Sequence, residues 1–101
     1  MGSIEELLAC TGFEWDRGNI EKNWERHKVS PVECEQIFFH QPLIIFDDPK
    51  HSIREKRYAA FGQTDTGRSL AVIFTKRNKR LRVISARDMN RRERKFYEDK
   101  Q

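Results

Sequence analysis

Long apolar stretches are missing from this 101-residue chain. The longest, Leu70–Phe74, is five residues, against the roughly 20 that a membrane-spanning helix needs. No secretory apolar core precedes a small-residue cleavage site, so a soluble cytoplasmic protein without membrane partners is expected. Cysteine is equally scarce. Cys10 and Cys34 form no C-x-x-C pair, which excludes a disulfide framework. Three scattered histidines, His27, His40 and His51, offer no zinc-type spacing, so neither metal nor cofactor is expected. The phosphate loop, the H-E-x-x-H helix and the serine elbow are all absent. Nucleotide hydrolases, zincins and serine hydrolases lose their support with them, as does an enzyme for a small phosphorylated metabolite.

Charge is what the chain has in excess. Asp, Glu, Lys and Arg make up 36%, yet Leu, Ile, Val and Phe still number 24, enough to avoid the composition of a disordered chain. One core and one domain spanning residues 1–101 are expected. The net charge of +4 is unevenly spread: residues 1–75 carry 9 basic against 12 acidic side chains, and residues 76–101 carry 11 against 4. A C-terminal quarter at +7 suits a polyanion or an acidic protein partner, without conferring base specificity.

The pattern of side chains predicts an α+β fold. A short helical piece covers Ile4–Cys10, and Phe13-Glu14-Trp15 alternates like a brief strand. Asp16 caps a helix from Arg17 to Lys28, with Ile20, Trp24 and His27 on its inward face. Ser30-Pro31-Val32-Glu33 reads as a capping box opening a second helix that buries Val32, Ile37, Phe38 and Cys34 before Pro42. Strands are predicted over Leu43–Phe46, Lys56–Gln63, Arg68–Thr75 and Leu81–Ala86, with turns at Thr64–Gly67 and Lys76–Arg80. Asp88 then caps a closing helix from Met89 to Asp99. Helices segregated from strands argue for α+β, and hairpin-length links for an antiparallel meander.

Chemistry concentrates in two places. Strict alternation along Leu81–Arg87 puts Arg82 and Arg87 on opposite faces, each guanidinium held on rigid backbone. Such forks fit phosphate bidentately, and equally they pair with neighbouring carboxylates. On the last helix Met89, Glu93, Phe96 and Tyr97 form one stripe, and a glutamate there must pair, be hydrated or act as a base. Arg91, Arg92, Arg94 and Lys95 surround it, as solvated surface or as a track for a nucleic-acid backbone.

Five blocks in order carry a resemblance: Phe13-Glu14-Trp15-Asp16, Asn23 to Ser30, Glu55 to Gly62, Arg82 to Arg87, and Arg91 to Glu98. Together they span about residues 13–98, and the sequence resembles the BrnT family of toxins from bacterial type II toxin–antitoxin systems. The residues up to Thr11-Gly12 extend beyond the family's usual start. The resemblance implies a metal-independent endoribonuclease with a fold related to the RelE toxins, in which the RNA 2′-hydroxyl attacks and leaves a cyclic phosphate. It implies that Arg57 and Arg87 hold the phosphate while His51, Glu93 or Tyr97 assists proton transfer. Arg82, Arg91, Arg92, Arg94 and Lys95 would bind RNA. The implied partner is a BrnA-like antitoxin of ribbon-helix-helix type, whose complex with the toxin binds operator DNA. The alternative is a catalytically silent module that binds protein or nucleic acid, as antitoxin partner or corepressor.

Overall fold

The computed structural model describes residues 10–51, with the side chain of His51 excepted, and residues 54–100. Most of the expected helix at Ile4–Cys10 lies outside the described residues. Five strands form one sheet in the order β1-β5-β4-β3-β2, with β1 at Phe13–Glu14, β2 at Ile44–Asp47, β3 at Arg57–Gln63, β4 at Ser69–Arg77 and β5 at Arg80–Asp88. Strands β2 to β5 are the antiparallel meander that hairpin-length links require. The sheet as a whole is mixed, because β1 lies parallel to β5 with Phe13 opposite Leu81. The β4–β5 turn is tighter than the sequence suggested. It is only Asn78-Lys79, both at positive φ, the conformation that matches strand twist in a two-residue hairpin. Lys76, Arg77 and Arg80 therefore belong to strands.

One sheet face is covered by helices α1 (Arg17–His27) and α2 (Pro31–Gln36) and a 3₁₀ turn at Ile37–Phe39. Asp16 caps α1 by accepting the Asn19 amide, and the Ser30–Glu33 capping box of α2 is present in both directions. The main core lies here, with Val29, Cys34, Ile37, Tyr58, Leu70, Val72, Phe74 and Val83 buried. Three inward assignments change. Trp24 and His27 are exposed, and so is Val32. The residue that α1 buries is Asn23. The reason is an unpaired edge: β1 covers β5 only at Leu81 and Arg82. Beyond them, Asn19 Nδ2 donates to the Val83 carbonyl and Asn23 Oδ1 accepts the Ala86 amide at 3.2 Å. Polar side chains face inward because buried backbone groups must be satisfied. Close approach of the 3₁₀ turn to β3 explains Gly62, where a Cβ would stand 2.9 Å from Ile37 Cβ.

The opposite face is covered only in part, by helix α3 (Arg91–Glu98). Met89 and Tyr97 pack there on Phe61 and Ala71, with Ile44 alongside. The N-cap of α3 is Asn90, with a full Asn90–Glu93 capping box, two residues later than the Asp88 expected from sequence. Asp88 instead ends β5 opposite Leu70, where its carboxylate takes two hydrogen bonds from Arg68. That arginine also donates to Glu33 and to the carbonyls of His27 and Lys28. A single guanidinium thus ties the ends of α1, α2 and β5 together.

Candidate nucleic-acid interface

Strand register decides which side chains share the partly open face. On β4, Leu70, Val72 and Phe74 point into the main core, so Ala71, Ile73 and Thr75 point the other way. Arg57 stands opposite Thr75, and Arg87 opposite Ala71. Both guanidiniums therefore rise from the same face. Their Cα atoms are four residues along β4 and two strand spacings apart, roughly 16 Å from strand geometry. Arg57 and Arg87 are both half-buried.

A bulge in β5 corrects the alternation expected along this strand. Ser85 pairs with Ile73 but Val83 with Phe74, leaving Ile84 with no opposite residue. Leu81, Val83 and Ala86 are consequently all in the main core, whereas Arg82, opposite Thr75, rises on the same side as Arg87. The extra residue thus reunites two arginines that strict alternation separates.

The two are engaged differently. Arg82 donates to Glu14 at 2.9 Å and Asp16 at 3.0 Å, and its side chain is 17% exposed. It fastens β1 and the start of α1 to β5. Arg87 meets Glu93 through both nitrogens, at 2.6 and 2.9 Å, and its side chain stays 42% exposed. The Glu93 hydrogen bond raises the Arg87 pKa against a smaller opposing effect of burial. Reciprocally, the Arg87 hydrogen bond holds the Glu93 carboxyl below the usual carboxylate range, outweighing burial. Glu93 Oε1 also accepts the Asn90 amide, so one carboxylate serves both the cap of α3 and the sheet arginine.

The remaining sequence candidates fall into three groups. Arg91, Arg92, Arg94 and Lys95 are exposed along α3, and Arg92 borders an open cleft of about 430 Å³ with Ile44, Phe46, Phe61, Glu93 and Phe96. Tyr97 is buried, and its hydroxyl donates to the Pro42 carbonyl, anchoring α3 to the start of β2. His51 closes the 3₁₀ turn Pro49–His51, and its side chain lies outside the described part. Sequence reasoning passed over Arg68, whose signal is weak because its five partner contacts come from three distant segments. Among the described residues, no cluster of His, Cys, Asp and Glu could hold a metal. Neither Cys10 nor Cys34 forms a disulfide. Burial, reinforced by Glu33 and Glu35, pushes the Cys34 thiol up to about 12, so it stays protonated. No helix among the described residues is long and apolar enough to cross a membrane.

The chain is a small α+β protein whose main core lies on one sheet face and whose strand arginines Arg57, Arg82 and Arg87 rise on the other. Comparison makes the class specific. The model of the family described as ribonuclease toxin, BrnT, of type II toxin-antitoxin system matches residues 15–93, and the chain belongs to that family. Membership implies an RNA substrate and an antitoxin partner. The fold is similar to the crystal structure of the Brucella abortus ribonuclease toxin, BrnT, with a TM-score of 0.62, covering 80% of this chain and 99% of that one at 23% identity. No curated protein matches the sequence.

Proposed function

We propose that the chain is a metal-independent endoribonuclease of RelE-like type, acting in the cytoplasm to arrest growth. A BrnA-like ribbon-helix-helix antitoxin neutralises it, and the complex of the two binds operator DNA. The observation that carries this reading is the shared placement of Arg57 and Arg87 on the partly open sheet face, beside a helix bearing Arg91, Arg92, Arg94 and Lys95. Guanidiniums fixed on strands stabilise charge developing on a phosphoryl group, Arg87 doing so by exchanging Glu93 for the phosphate.

In the proposed reaction the RNA 2′-oxygen attacks the adjacent phosphorus and the bond to the 5′-oxygen breaks. A 2′,3′-cyclic phosphate and a 5′-hydroxyl result. One proton leaves the 2′-hydroxyl and one reaches the departing 5′-oxygen. Arg57 and Arg87 grip the phosphate, the α3 cations bind the flanking backbone, and His51 and Glu93 are the candidates for proton transfer. We assign Tyr97 to positioning, through its hold on Pro42, and Arg82 to fastening β1.

Purified protein incubated with single-stranded RNA in EDTA should yield cyclic-phosphate ends. Arg57→Ala and Arg87→Ala should each lower the rate about 100-fold or more, the usual cost of removing one transition-state donor. Cleavage that needs added metal, or that both variants retain, would overturn the assignment. A silent binding module remains the second reading, favoured by the carboxylate pairing of Arg82 and Arg87. It predicts tight antitoxin binding and normal growth when the chain is expressed alone.

A further inference from the structure

The cleft beside α3 has a composition that phosphate binding does not explain. Its floor is Phe61, buried at 7% exposure, and its walls are Phe46 and Phe96, exposed at 42% and 45%. Phe46 meets Phe61 at 5.1 Å and 86°, and Phe96 meets it at 6.2 Å and 79°. Edge-to-face contacts of this kind leave each outer ring with a face that Phe61 does not cover. Leaving two such rings in water costs stability, and here they stand together rather than scattered.

The surroundings are cationic. Arg92 lies on the rim, Arg91 and Lys95 are exposed on the same helix, and Lys100 Nζ lies 5.2 Å from the Phe96 ring centre. On the far side, Phe46 pairs with Ala59, two residues from Arg57 on the same strand face. The one carboxylate lining the cleft, Glu93, is already neutralised by Arg87. Aromatic faces interleaved with cations are how proteins hold unpaired nucleotides.

We propose that the Phe46–Phe61–Phe96 cleft seats an unpaired nucleobase of the RNA, stacked on the outer rings, while Arg57 and Arg92 face the phosphates on either side. This rests on the ribonuclease reading above and makes it narrower: the substrate is single-stranded at the cleft, and base identity is sensed by stacking.

The test uses an uncleavable 2′-O-methyl single strand, an abasic strand of equal length, and fluorescence anisotropy on the whole chain. Phe46→Ala and Phe96→Ala should each weaken binding of the base-containing strand about ten-fold or more, and leave the abasic strand unchanged. Phe46→Trp should restore affinity, which separates stacking from misfolding. Arg92→Ala should weaken both strands and flatten the salt dependence. If the phenylalanine variants bind both strands as the parent does while cleavage persists, the base seat is wrong and the ribonuclease reading stands. If they instead lose only a co-expressed antitoxin, the cleft is a protein-docking groove and the proposal falls. If the parent neither binds nor cuts RNA, both fall together.

Discussion

Glu93 shows how much one side chain can be asked to do. It closes the capping box of α3 and pairs in bidentate fashion with Arg87. A phosphate reaching Arg87 must compete with that carboxylate. Glutamine in its place keeps an acceptor for the cap but removes the charge. Glu93→Gln should therefore tighten binding of an uncleavable RNA several-fold, and lower the melting temperature at neutral pH because the charge that Arg87 stabilises is lost. If Glu93 is also the proton acceptor, the same variant should cut RNA at least 100-fold more slowly, so affinity and rate would move in opposite directions. At this scale the sequence was only partly legible. Arginine on a strand is readable, but whether it faces a carboxylate depends on partners such as Glu14, 68 residues away from Arg82.

Among the elements, β5 governs the arrangement. The expectation of alternating faces along Leu81–Arg87 failed because the unpaired residue is Ile84, an ordinary strand former that announces no bulge. The inward face of α1 was misread for a related reason: its 3.6-residue apolar stripe was followed, while the helix in fact turns asparagines towards an unfinished strand edge. Asn23→Ala should leave the buried Ala86 amide without its partner and cost about 1–3 kcal/mol, measured by urea unfolding. Asn19→Ala, removing a longer and less buried bond, should cost less. Where signals were local, reading succeeded unless two candidates competed. The Ser30–Glu33 box and the Asp16 cap have partners within three residues, and so does the Asn90–Glu93 box of α3; there two cap-type residues, Asp88 and Asn90, compete, and Asp88 is taken by Arg68.

For the whole molecule, the meander was foreseeable from link lengths and the parallel β1 was not, since nothing near Phe13 encodes its pairing with Leu81. Arg68 binds the layers, and its influence should appear in the pH dependence of stability. The Arg68 hydrogen bond holds the Asp88 carboxyl below its ordinary value against the effect of burial. At Glu33 burial works upward, but hydrogen bonds from Ser30 and Arg68 prevail and the shift is again downward. Glu93 is lowered as well. Carboxyls depressed in the folded state bind fewer protons there than in the unfolded chain, so stability rises with pH through their range. The contribution should be complete above about pH 4–5, the ordinary carboxylate range, and fade as pH falls through the depressed values. Melting temperatures between pH 7 and 2.5 should show this loss, and Arg68→Met should lower the plateau and shrink the acid slope.

The sheet divides labour between its sides. The main core lies under α1 and α2, while the other side joins a smaller buried cluster to cationic and aromatic groups that α3 only half shelters. Under the proposed base seat, exchanges at Phe46, Arg92 or Phe96 would alter RNA preference while leaving the core beneath α1 and α2 untouched.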